Sequence, residues 1–172
     1  MRSFIGTVPL SVLLLVLAVI IIVFLSPATA RRLGVSRPVA ALLMFGFGLV
    51  IAATLSPDVD ALAGIGSDGT CDLSRIGFAP IADLTRVSAT SLNVLLFVPL
   101  GVAVGLLPRT RAAAIVTFAA ISLTFVVEGV QLLVTALGRG CQSADLFDNL
   151  MGLGIGIGIG LLARPVLRAL SD

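Results

Sequence analysis

Glu128 is the sole glutamate of this 172-residue chain, and it stands inside the longest apolar run, Ala112 to Leu137. No other ionisable residue lies between Arg111 and Arg139. A carboxylic acid in so apolar a setting can donate or accept a proton, hold a cation or order a pocket. Gln131 follows at i+3, on the same helical face. Beyond the run come Arg139, suited to a phosphate or carboxylate, and then Asp145, Asp148 and Asn149. Upstream, Asn93 opens another apolar run. Glu128 paired with Asp145 could do general acid–base work. Glu128 with Asp145 or Asp148 also offers oxygens for a hard divalent cation such as Mg²⁺. No cofactor is otherwise expected. His, Lys, Tyr and Trp are all absent, which excludes a histidine-based lipid phosphatase chemistry.

These residues sit between long apolar stretches. Hydrophobic residues make up 58% of the chain, charged residues 12%, and the mean hydropathy is +1.19. A soluble domain carries about twice that charge. The chain therefore reads as a single all-α, polytopic membrane helix bundle over residues 1–172. Five transmembrane helices are expected at 8–25, 38–55, 92–107, 112–137 and 146–163, each able to cross about 30 Å of hydrocarbon. The arginines are scattered singly, so no nucleic-acid partner is expected.

Ala28-Thr29-Ala30 resembles a cleavage site, but the preceding apolar run exceeds a signal-peptide core, so the first helix is expected to be retained. Arginine placement orients the bundle, because cytoplasmic loops hold the excess. An external N-terminus puts Arg31, Arg32, Arg37, Arg109, Arg111, Arg164 and Arg168 in the cytoplasm. It leaves Arg2, Arg75, Arg86 and Arg139 outside. The C-terminus is then cytoplasmic, and residues 56–91 form a long external loop. Cys71 and Cys141 both fall outside, where an oxidising compartment favours a disulfide between them.

Depth along the helices collects Thr54, Asn93, Glu128, Gln131, Arg139, Asp145 and Asn149 in one slab of the outer half of the membrane. Glu128 is expected about 13 Å inside the outer end of a helix reaching Leu137. Asp145 and Asp148 are spaced to cap the last helix. Gly152, Gly156 and Gly160 recur on one face of that helix, where small residues allow close packing within the chain or in a homo-oligomer. Pro99 is expected to kink its helix. The apolar segment Ile76–Ile81 of the long loop either lies on the bilayer or dips into the bundle.

Four stretches resemble the motifs of VanZ-like membrane proteins: Thr54-Leu-Ser-Pro57, Asn93-x-x-x-Phe97-x-Pro99-x-Gly101, Glu128-x-x-Gln131, and Arg139 followed by Asp145-x-x-x-Asn149-x-x-Gly152. The resemblance covers about residues 54–160. It implies a bacterial cytoplasmic membrane protein and a set of companions for Glu128. The family is named for a protein that lowers susceptibility to teicoplanin, a lipid-tailed glycopeptide antibiotic. The resemblance implies no particular substrate or reaction.

Three functions remain open on the sequence. A binding module would take an amphiphile (a lipid headgroup, a cell-wall lipid precursor or a lipoglycopeptide) through Asn93, Glu128, Gln131, Arg139, Asp145 and Asn149, without catalysis. A membrane-embedded hydrolase or transferase would act on a lipid phosphate through Glu128 and Asp145. A small transporter or scramblase would work through Glu128. The first is preferred, because no residue is visibly activated as a nucleophile.

Overall fold

Residues 10–64 and 66–169 are described by a computed structural model. In chain order the elements are α1 (Leu10–Leu33), α2 (Arg37–Thr54), the short α3 (Val59–Leu62), β1 (Cys71–Asp72) and the short α4 (Ile81–Leu84). There follow α5 (Ala89–Leu106), α6 (Arg111–Leu133), a 3-10 turn (Thr135–Leu137), β2 (Cys141–Gln142) and α7 (Ser143–Ala169). Five of these helices, α1, α2, α5, α6 and α7, are long and apolar enough to cross a membrane. The chain is a helical membrane protein.

Three helix ends differ from those expected. α1 continues through Ser26, Pro27 and the Ala28-Thr29-Ala30 triplet, and Ser26, Ala30 and Leu33 are buried. α6 stops at Leu133 because Val134 leaves helical geometry at φ −106° and ψ 73°, and a 3-10 turn follows. Glu128 therefore lies five residues, about 7.5 Å, inside the helix end rather than 13 Å. α7 begins at Ser143, so Asp145 sits in its first turn and not ahead of it. α5 runs unbroken across Pro99.

A seam of small residues joins α5 to α7. A Cβ added at Gly156 would come within 2.8 Å of the Gly101 Cα, and one at Gly160 within 2.8 Å of the Gly105 Cα. One at Gly152 would strike the Val94 carbonyl. Backbones this close forbid side chains, as expected of small-residue helix packing. Gly152, Gly156 and Gly160 thus pack inside the chain, whereas Gly154 and Gly158 face open space. Phe97, Leu100, Val50, Val127 and Leu153 fill the core beside this seam.

The disulfide Cys71–Cys141 ties the long loop to the short one. Around it β1 and β2 pair in parallel, Cys71 opposite Cys141 and Asp72 opposite Gln142. The Asp58 N–H donates to the Leu137 carbonyl at 2.9 Å, and the Ser67 N–H to that of Thr135 at 3.0 Å. Gly138 turns the chain at φ +66°, with Ala61 packed against it. The apolar loop segment is only half seated. Ala79 is buried and the Phe78 ring meets Phe147 edge-on at 5.5 Å, while Ile76 and Ile81 are exposed.

Candidate functional site

The end of α2 supplies two carbonyls to the site. The last carbonyls of a helix have no partner within it. The Gln131 side-chain amide of α6 donates to the Thr54 carbonyl at 3.1 Å. The Arg139 Nε donates to the Ser56 carbonyl at 3.0 Å. Thr54 and Ser56 turn their own hydroxyls back onto the Val50 and Ala52 carbonyls. The Thr54–Pro57 stretch thereby anchors both Gln131 and Arg139.

Glu128 is buried, 7% exposed, and its partner is neither Gln131 nor Arg139. The backbone N–H of Gln142 donates to its Oε2 at 2.9 Å. Gln142 directly follows Cys141, so the disulfide and the β1–β2 pair hold that donor in place. The Asp145 carboxylate lies near enough to Glu128 to interact with it electrostatically. Asp145 lies beside the Asn93 side chain of α5 and also feels the charge of Arg139. Asn149, one turn further along α7, is 2% exposed, and its Oδ1 has no hydrogen-bond partner among the described residues.

Thr54, Asn93, Glu128, Gln131, Arg139, Asp145 and Asn149 all line one cavity of about 350 Å³. Leu92, Leu96 and Val127 add apolar wall. The sequence slab is therefore one space, built from α2, α5, α6, α7 and the loop ahead of β2. It offers one guanidinium, two carboxylates and three amides beside an apolar wall. Such a set can hold a headgroup that carries both donors and an anionic oxygen. Among the described residues no three His, Cys, Asp or Glu side chains cluster as metal ligands. A divalent cation in the cavity would thus find two carboxylates, those of Glu128 and Asp145.

Asp148 is not part of this wall. It is fully buried and forms an ion pair with Arg75 of the long loop at 2.5 Å. The same guanidinium donates to the Ala144 carbonyl, and the Ser143 hydroxyl donates to the Arg75 carbonyl at 2.8 Å. Asp148 does not complete a cap with Asp145; it clamps the loop to the start of α7. Sequence reasoning left Arg75 as a loop charge. Its one signal was a lone arginine four residues after Cys71, which the disulfide brings to α7.

The helices and the cavity near one end of the bundle define a polytopic α-helical membrane protein with a polar pocket at its loop-bearing end. Within that class the VanZ/LLP1 family model matches residues 10–164, and the chain belongs to this family. No curated protein and no solved structure matches it.

Proposed function

We propose that the cavity recognises the polar head of an amphiphilic cell-envelope molecule: a lipid headgroup, a cell-wall lipid precursor or a lipoglycopeptide. The observation that carries this reading is the buried Asn149, a wall residue of the cavity it shares with Glu128, Arg139 and Asp145, whose Oδ1 has no hydrogen-bond partner among the described residues. A buried polar atom without a partner is unfavourable by about 1–3 kcal/mol, so a ligand that donates to it is strongly favoured. Arg139, tethered by Nε, keeps its two terminal nitrogens for a phosphate or carboxylate of the ligand. Glu128 and Gln131 order the floor, and Leu92 and Leu96 meet the start of the apolar tail. With the N-terminus outside, the pocket faces the outer leaflet of a bacterial cytoplasmic membrane, where teicoplanin-like drugs act. A role in glycopeptide resistance or envelope homeostasis follows from that placement.

Purified protein titrated with teicoplanin, undecaprenyl phosphate and phosphatidylethanolamine, read by native mass spectrometry, tests the reading. At least one probe should bind, and Arg139→Ala and Glu128→Gln should each weaken it about tenfold or more. Equal binding of all three probes by both variants refutes the pocket as the site. Release of phosphate from undecaprenyl phosphate, lost in Glu128→Gln, would replace recognition by hydrolysis.

A further inference from the structure

The end of the bundle remote from the disulfide carries a different chemistry. Arg31, Arg32, Arg37, Arg109, Arg111 and Arg164 all belong to it, by their places at the helix ends. Every carboxylate among the described residues lies at the other end or in its loops. A cavity of about 620 Å³ opens here between the α5–α6 turn, the start of α6 and the last third of α7. Arg109, Arg111 and Arg164 line it together with Thr110, and Ile157 and Leu161 form an apolar wall.

Three features fit one phosphate. Arg164 is fixed in place, its Nε donating to the Gly105 carbonyl at 2.6 Å and its Nη2 to that of Leu107. Its Nη1 has no partner among the described residues. Thr110 caps α6, its hydroxyl accepting from the Ala113 N–H at 3.2 Å and its carbonyl from the Ala114 N–H. Among the described residues the Arg111 and Ala112 amides of the first turn stay without an acceptor, and such amides favour an anion. Arg109 and Arg111 are exposed and form no ion pair among the described residues. Basic pockets between spans are where anionic lipid headgroups bind. The wall of Ile157 and Leu161 runs up α7 into the depth of the span, where a free phosphate ester has nothing to place and an acyl chain does.

We infer that this cavity is a second lipid site, in which Arg109, Arg111 and Arg164 hold the phosphate of an anionic phospholipid from the leaflet at that end while its acyl chain lies against Ile157 and Leu161. The site is independent of the pocket beside Glu128. The test uses delipidated full-length protein in detergent with phosphatidylglycerol, phosphatidylcholine of the same chains, and glycerol 3-phosphate. Native mass spectrometry should show phosphatidylglycerol bound at least about tenfold more tightly than phosphatidylcholine. Arg109→Gln with Arg111→Gln should abolish that preference. Arg31→Gln with Arg32→Gln, at the same end but off the cavity, should keep it. Phosphatidylglycerol should also raise the melting temperature of the native protein, an effect that high salt removes. The inference is overturned if the Arg109/Arg111 variant keeps its preference, or if the Arg31/Arg32 variant loses as much. It also fails if glycerol 3-phosphate binds as tightly as the lipid, or if the lipid leaves the native melting temperature unchanged.

Discussion

The Gln142 backbone N–H donates to the Glu128 carboxylate at 2.9 Å, one residue from the Cys71–Cys141 disulfide. A covalent cross-link between two loops thus fixes the donor that meets a buried acid on α6. The bridge, the two-residue β1–β2 pairing and the Glu128 contact form one mechanical unit.

Reducing the disulfide should therefore be felt at Glu128. Cys71→Ser with Cys141→Ser removes a cross-link spanning 70 residues, which stabilises by about 2–4 kcal/mol. The melting temperature in detergent should fall, and the native protein should show the same fall with reductant. Hydrogen exchange at the Gln142 amide should accelerate, while exchange in the middle of α5 stays unchanged. A melting temperature indifferent to reductant would contradict this unit.

Asp148 and Arg75 test whether the loop clamp is structural. Asp148 is fully buried while the Arg75 side chain is 31% exposed, so the pair is partly screened by solvent. Arg75→Met leaves the acid buried without its cation and should destabilise by about 1–3 kcal/mol, discounted for that exposure. Arg75→Met with Asp148→Asn should recover part of the loss. Thermal or denaturant melts of the two variants beside the native protein measure it, and an Arg75→Met melt equal to the native one would show that the pair contributes nothing.

The α5–α7 seam predicts a sharp contrast between neighbouring glycines. A methyl at Gly156 would collide with the Val98 carbonyl and the Gly101 Cα, so Gly156→Ala should destabilise by about 1–3 kcal/mol. Gly154→Ala meets nothing within 4 Å and should be neutral or slightly stabilising. Parallel melts of the two variants in one detergent decide it.

How much of this was legible in the sequence varies with the kind of contact. The spans were, because each is a long apolar run and lipid permits little else. The shared depth of Asn93, Glu128, Gln131, Arg139, Asp145 and Asn149 followed from helical rise and alternation of direction. The glycine face of α7 was visible at i, i+4, i+8 spacing, but its partner, Gly101 and Gly105 of α5, was not, since three other spans were equally available. The end of α6 was hidden because Val134-Thr135-Ala136-Leu137 contains no glycine or proline and stays apolar. The partner of Glu128 was hidden for a deeper reason: a backbone N–H is present at nearly every residue and leaves no mark on composition. Arg75 escaped because only the disulfide brings it to Asp148.

Arg139 offers the clearest separation of recognition from stability. Its Nε is committed to the Ser56 carbonyl, and Arg139 lines the cavity, where a planar guanidinium can offer its remaining nitrogens as a fork. Lysine has a single ammonium, which can reach the Ser56 carbonyl or a ligand oxygen but cannot hold both in a fixed geometry. Arg139→Lys should keep the fold, with a melting temperature close to native. If the cavity binds an amphiphile as proposed, affinity for the bound probe should nonetheless fall about tenfold, nearly as far as in Arg139→Ala. Titration of both variants beside the native protein at two salt concentrations measures it. Were the lysine variant to bind as the native protein does, Arg139 would be acting as a point charge, and the forked contact with the ligand would be refuted.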